Sequence, residues 1–287
     1  MSRTLRTHPS TPPREPDLSI DVEATTRILE GFLKTEVERT GLHRVVVGLS
    51  GGIDSALAAY LAVRALGPSG VVGVLMPYRT SDPSSLRDAE SVVGALQIVA
   101  ERFEISEIVD VFAAKAGAVG PRRLGNVMAR VRMLVLYDRS VEHDALVLGT
   151  SNKTELLLGY GTIHGDLASA LNPLGDLYKT QVRELSRALG VPKPILTKSP
   201  SADLWPDQTD ERDLGVSYDE VDRILSLLVD ARVSPGTIVA KGFSRKTVLR
   251  VQRAIVRSQF KRRMPLIAKV STRSIGWDFR YPRDWKT

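Results

Sequence analysis

The sequence contains no cysteine. Disulfides, thiolate zinc sites and cysteine nucleophiles are therefore excluded. Histidine is scarce too: His8, His43, His143 and His164 are scattered, and no pair has the spacing that stacks metal ligands on one helical turn. Aromatic residues make up only 6% of the chain, and neither a base-reading element nor a run of stacking aromatics is evident, so nucleic acid is not an expected partner. No apolar run approaches the roughly 20 residues of a membrane span. The basic N-terminus lacks the apolar core of a secretory leader. These absences predict a cytoplasmic protein with no membrane partner.

What is present is ample apolar material: 43% of 287 residues are hydrophobic, enough for one large α/β domain or two small ones. The net charge of +7 is unevenly placed. Residues 241–287 hold 14 Lys/Arg against 2 Asp/Glu, or +12, leaving −5 for the first 240. A basic C-terminal stretch of this kind is either a solvated face or a surface for an anionic partner. Residues 1–18 carry Pro9, Pro12, Pro13 and Pro16 among Ser, Thr and Arg, and are predicted to be a disordered tail. Residues 19–270 are expected to form the folded domain and 271–287 a C-terminal tail.

Periodicity predicts a helix over about 22–39, with Leu29, Phe32, Leu33 and Val37 on one face. Short apolar runs follow at 44–49, 71–76 and 145–148, the pattern of strands buried on both faces. Helices are predicted over 53–66, about 84–100 and 121–140, and Ile105–Val109 reads as a weak strand or a connection. Alternating strands and helices predict a doubly wound parallel sheet, Rossmann-like, with helices on both faces. Ligands of such sheets sit beyond the strand C-termini, here Gly48–Asp54, Pro77–Ser81 and Gly149–Glu155. The long connections at 159–178 and 191–216 are expected to be functional.

The string Gly48-Leu49-Ser50-Gly51-Gly52-Ile53-Asp54-Ser55 ends a strand and opens a helix. Free N–H groups at a helix start bind anions. Gly51 and Gly52 let the backbone approach phosphate oxygens, and Ser50 and Ser55 add hydroxyls. Asp54 repels phosphate unless a cation lies between them, which implies Mg²⁺. A plain N-cap is the simpler alternative. A Walker A loop is ruled out by the missing Gly-Lys-Ser/Thr, and no G-x-G-x-x-G is present.

The loop resembles the SGGxDS motif of ATP-pyrophosphatases, which cleave ATP between the α and β phosphates. Four further stretches are similar to NAD synthetases in particular: Met76–Ser81 with Ser85–Ala89, Gly125–Met133, Gly149–Asp166 continuing to Thr180, and Lys198–Asp222. The resemblance covers roughly residues 22–265. It implies ATP contacts at Gly48, Ser50, Gly51, Gly52, Asp54, Ser55, Arg79, Thr150, Lys179 and Ser201, and Mg²⁺ on Asp54 and Glu155. It implies a deamido-NAD site at Asn126, Arg130, Asp166, Asp210, Phe260 and Lys261; Arg123, Asn126 and Arg130 share one helical face. Asp54, Glu155 and Lys179 would stabilise departing pyrophosphate, and Asp166 is a candidate base toward ammonium. The implied reaction is amidation of deamido-NAD through an adenylate, in a homodimer, with ammonia free or supplied by a separate subunit.

The chain departs from the ammonia-dependent pattern at Ile163 and His164, where a lysine and a tyrosine are expected, at Ala170 for an aspartate, and at Glu36 for an aromatic. Two other readings stand beside the main one. One is an ATP-pyrophosphatase for another carboxylate or a tRNA base, and the other is a non-catalytic nucleotide-binding relative.

Overall fold

The computed structural model describes residues 17–199, 215–263 and 265–272. Its elements in order are α1 (Val22–Glu38), β1 (Arg44–Gly48), α2 (Ile53–Leu66), β2 (Val71–Leu75), α3 (Pro83–Leu96), β3 (Val99–Arg102), α4 (Ser106–Ala116), α5 (Pro121–Glu142), β4 (Ala145–Leu148), α6 (Lys153–Leu158), α7 (Lys179–Ala188) and α8 (Lys193–Thr197). After the undescribed 200–214 come α9 (Tyr218–Leu225), a π-helical turn Ser226–Asp230, α10 (Pro235–Ala240), α11 (Arg245–Arg257) and a 3₁₀ turn Gln259–Arg262.

The four described strands are all parallel, in the order β3-β2-β1-β4. The sheet grows from β1 toward β3, then switches to the other side of β1 for β4. That reversal opens a crevice between the C-terminal ends of β1 and β4.

Side chains alternate across the sheet, as the two-residue pleat requires. Val45, Val47, Val71, Leu75 and Leu148 face one cluster, completed by Leu33 and Val37 of α1, Leu57 and Leu61 of α2, and Val182 and Leu185 of α7. Val46, Val72, Val74 and Val147 face the other, with Val109 of α4 and Met128 and Val135 of α5. Burial on both faces explains the unbroken valine runs. A third cluster joins Tyr178, Val221, Ile224, Leu225, Ile238, Val248 and Val251, so that α9–α11 pack on their own core next to α6 and α7. Leu18 packs on it as well, whereas residues 1–16 and 273–287 lie outside the described residues.

One element differs from the sequence expectation. The helix predicted to reach residue 100 stops at Leu96, where Gln97 takes a left-handed conformation (φ 53°). The chain then forms β3 at 99–102, and Ile105 and Val109 belong to the start of α4 rather than to a strand. The edge position hides this strand in the sequence: Val99 is 63% exposed, and the charged Glu101 and Arg102 blunt the open edge. Ile105 and Val109, both buried, are a one-turn helical pair that a short apolar window takes for a strand.

Candidate active site

The loop expected to receive phosphate, Gly48–Ser55, lies where β1 meets α2. Gly51 has φ 76°, and a Cβ there would run into the Ser85 carbonyl of α3. Glycine is thus demanded twice, by conformation and by space. The hydroxyls of Ser50 and Ser55 lie 3.1 Å apart, Gly52 N donates to Ser50 Oγ at 3.2 Å, and Ser55 Oγ donates to the Gly52 carbonyl at 3.0 Å. The two serines therefore brace the loop from within. Gly48 fits beneath Met76, whose Cε would sit 3.0 Å from an added Cβ.

Asp54 stands in the first turn of α2 and Glu155 in the first turn of α6, 101 residues later in the chain. The parallel sheet brings both to the β1/β4 edge. Lys179, at the start of α7, joins them: its Nζ donates to Asp54 Oδ2 at 2.5 Å and to Glu155 Oε1 at 3.1 Å. Lys179 is only 2% exposed, with its ammonium 5.2 Å from the Tyr218 ring centre. A buried ammonium needs paired charge, and the two carboxylates provide it. Thr150 follows β4 on the same edge.

Several residues that the sequence did not single out hold this group. Asn152 caps α6: its Oδ1 accepts from Glu155 N at 2.9 Å, while its Nδ2 donates to Asp54 Oδ1 at 2.9 Å. The Asn-x-x-Glu spacing of a helix start was a visible signal for it. Asp222 of α9 is buried and accepts from Thr154 Oγ1 at 2.6 Å and from Thr180 N at 2.9 Å. Its signal was an acid among the apolar positions Tyr218, Val221 and Leu225 of one helix face. Lys198 Nζ binds Asp88 at 2.8 Å and the hydroxyls of Ser84 and Ser85 at 3.2 and 3.1 Å, tying the end of α8 to the helix that abuts Gly51.

Four of the expected substrate residues converge on one loop, 159–166. Asn126 Oδ1 accepts from Thr162 Oγ1 at 2.8 Å, and Arg130 Nη2 donates to the Ile163 carbonyl at 3.3 Å. Asp166 Oδ1 accepts from Thr162 N at 2.8 Å, and Lys261 Nζ donates to the carbonyls of Gly159 and Gly161 at 2.8 and 2.6 Å. Arg262 adds bonds to the carbonyls of Leu156 and Leu157 at 2.8 and 3.0 Å. Asp166 keeps a solvent-accessible face, yet desolvation pushes its carboxyl up, against the hydrogen bonding at Thr162 and the weaker pull of Lys261. Burial lowers the Lys261 ammonium, with Asp166 opposing.

Other expected residues are elsewhere. The Arg79 guanidinium pairs with Asp110 of α4, which also accepts from Tyr78 Oη, rather than with the Gly48–Ser55 loop. Phe260 is 61% exposed and outside the group. Ser201 and Asp210 lie outside the described residues. Of the departures, Glu36 is buried and pairs with Arg39, His164 adopts a left-handed backbone (φ 56°), and Ala170 N bonds the Val147 carbonyl, extending the edge of β4.

Asp222 gives a pH prediction. Desolvation, the largest influence, holds its folded carboxyl above the ordinary value. As pH rises from about 4, the unfolded chain therefore loses this proton first, so the group's contribution is neutral at lower pH and turns against the fold above it. Asp222→Asn removes that dependence. In thermal unfolding from about pH 4 to about pH 8, its stability relative to wild type should improve as pH rises. A gap that stays constant or widens would contradict the assignment.

A family model described as NAD synthase matches residues 25–265. The chain is 51% identical to the NH3-dependent NAD+ synthetase of Chlorobium phaeobacteroides, over 94% of this chain and 98% of that protein. Among solved structures it is similar to the NH3-dependent NAD synthetase of Campylobacter jejuni in complex with the nitrate ion, with a TM-score of 0.75 and 34% identity over 88% of this chain and all of that one. It is also similar to the NMN synthetase of Francisella tularensis, with a TM-score of 0.78 and 33% identity over 87% of this chain and 99% of the other.

Proposed function

We propose, from the premise that this chain belongs to the NAD synthase family, that it is a ligase converting deamido-NAD to NAD with ATP and ammonia. The observation that carries the chemistry is the meeting of Asp54, Glu155 and Lys179 beside the glycine loop. In the first step the nicotinate carboxylate attacks the ATP α-phosphorus, forming an adenylate and releasing pyrophosphate. In the second, ammonia nitrogen forms a bond to the adenylate carbonyl carbon, AMP leaves with the bridging oxygen, and nitrogen loses a proton. Neither step needs a nucleophile from the protein, in keeping with a chain that has no cysteine.

Catalysis is then positioning and charge neutralisation. The Gly51–Gly52 backbone and the N-terminus of α2 receive phosphate oxygens. Lys179 exchanges its carboxylate contacts for the departing pyrophosphate. Magnesium fits the donor set: Asp54 and Glu155 offer hard carboxylate oxygens that already gather on one cation, the Lys179 ammonium. No group of three or more metal-ligating side chains occurs among the described residues, so nucleotide oxygens and water would complete the shell, as is usual for this ion. When bound, it would neutralise charge building on the pyrophosphate.

Deamido-NAD is assigned to the 159–166 loop with Asn126, Arg130 and Lys261, and Asp166 is the candidate to take the ammonium proton. Because the site draws on segments from Gly48 to Lys261, we read 19–270 as one functional domain. A homodimer is supported by apolar side chains exposed on two adjoining helices, Ile108, Val111 and Phe112 of α4 and Leu134, Tyr137 and Val141 of α5. No described helix is long and apolar enough to cross a membrane.

Protein supplied with ATP, Mg²⁺, deamido-NAD and ammonium should produce NAD, AMP and pyrophosphate in equal amounts, read by coupled reduction of NAD. Amidation of the mononucleotide acid in preference to the dinucleotide would move the assignment to an NMN synthetase. Pyrophosphate release stimulated by RNA alone would defeat it.

A further inference from the structure

Asp222 has no part in the chemistry above, yet it is 0% exposed, and Glu36 is the only other acid buried among the described residues. Its two oxygens serve two helix starts. Oδ1 accepts from Thr154 in the first turn of α6, and Oδ2 accepts from the backbone N–H of Thr180 in the first turn of α7. Thr154 Oγ1 in turn accepts from the backbone N–H of Lys179 at 3.0 Å. The residues beside these contacts are Glu155 and Lys179. A single carboxylate from the C-terminal helices therefore fixes the register between the two helices whose charged side chains meet at the phosphate edge.

The arrangement suits an acid. Helix starts present N–H groups without intrahelical partners and a partial positive charge, so a carboxylate between two of them is compensated in part for its burial. An apolar residue of similar size would fill the space but strand the Thr180 N–H and the Thr154 hydroxyl. There is little slack in the product of this alignment. Lys179 reaches Asp54 at 2.5 Å and Glu155 at 3.1 Å, so a slip of α7 against α6 by one ångström would forfeit a contact.

We propose that Asp222, acting through Thr154, is a positioning residue that sets Lys179 and Glu155 for pyrophosphate departure. The proposal rests on the catalytic reading of those two residues. It places the control of the ATP edge partly in α9, a helix that contributes no atom to the reaction.

The test uses three variants of the full chain. Thr154→Val deletes the hydroxyl at nearly constant volume, Thr154→Ser restores it, and Asp222→Asn removes the charge. Thr154→Val and Asp222→Asn should each lower kcat by about 10- to 100-fold, the scale of an ångström's misplacement, and leave the KM for deamido-NAD within about twofold. Thr154→Ser should return kcat to within about fivefold of wild type, and the double variant should be no worse than the poorer single one, because both act on one linkage. In Asp222→Asn the amides of Lys179 and Thr180 should exchange hydrogen faster. A kcat for Thr154→Val within about twofold of wild type, a serine variant as slow as the valine one, or additive losses would overturn the proposal.

Wild type assayed alongside separates this claim from the reaction itself. If wild type makes no NAD, the reaction is wrong, and ATP affinity by calorimetry decides the positioning role: about tenfold weaker binding in Thr154→Val upholds it and unchanged binding overturns it.

Discussion

Asp54→Ala should lower ATP-dependent pyrophosphate release by about a thousandfold or more, the loss expected when a site can no longer neutralise its developing charge. On the proposed reading Asp54 has two functions that the variant separates poorly: its charge would offer a place for a cation beside the phosphates, and its oxygens hold Asn152 Nδ2 and Lys179 Nζ. Losing the second function should also cost stability, by about 3 kcal/mol, because one partner of a buried ammonium is removed. Asp54→Asn divides the two. It keeps an acceptor for one neighbour, so it should unfold closer to wild type, yet it should be as inactive as the alanine variant. Pyrophosphate release near the wild-type rate in either variant would remove Asp54 from the chemistry and leave it a structural ion-pair partner.

Gly51→Ala should weaken ATP binding and destabilise the chain together. The residue sits at φ 76°, a region that costs an L side chain about 1–2 kcal/mol. The added methyl also meets the Ser85 carbonyl, a backbone atom that cannot rotate away, and overpacking of this kind costs about 1–3 kcal/mol more. Relief comes only if α3 moves from α2 or the loop changes course, and either reshapes the surface that receives phosphate. A thermal shift equivalent to about 2–5 kcal/mol with ATP affinity reduced by at least about tenfold is the expected pair of results. Normal affinity with normal stability would mean that the loop is more compliant than its geometry shows. Gly52→Ala provides a contrast, since a Cβ there meets only the tip of Ser50, at 3.2 Å.

Much of this was legible in the sequence because it is local. The valine runs of β1 and β2 marked strands buried on both faces, and the Ser-Gly-Gly string marked a tight turn between a strand and a helix. Asp54 and Glu155 could be assigned to one edge because each closely follows a strand of a parallel sheet. What the sequence concealed was pairing between distant segments. Nothing in a string of residues says that Asp222 meets Thr154 and Thr180, or that Arg79 turns to Asp110. Strand β3 was lost for another reason: an edge strand with one exposed valine and two charges carries almost no period-two signal. Lys179 was legible as a phosphate-contacting lysine only through the resemblance; its burial beside Tyr218 and its pairing with Asp54 and Glu155 were not.

The strap formed by Lys261 and Arg262 bears on how the enzyme is born. Its bonds to the 156–161 backbone span 100 to 106 residues of sequence. Chains leave the ribosome N-terminus first, so α1, the sheet and the glycine loop are all exposed before residues 258–262 have been made. Until then the carbonyls of Leu156, Leu157, Gly159 and Gly161 lack these partners, and the loop shared by Asn126, Arg130 and Asp166 has no clasp on its far side. Such a late, long-range closure is slow to form, because the chain between must first be ordered. The nascent polypeptide can therefore hold its sheet and glycine loop while the 159–166 loop is still unclasped, and it matures only when its last helices dock.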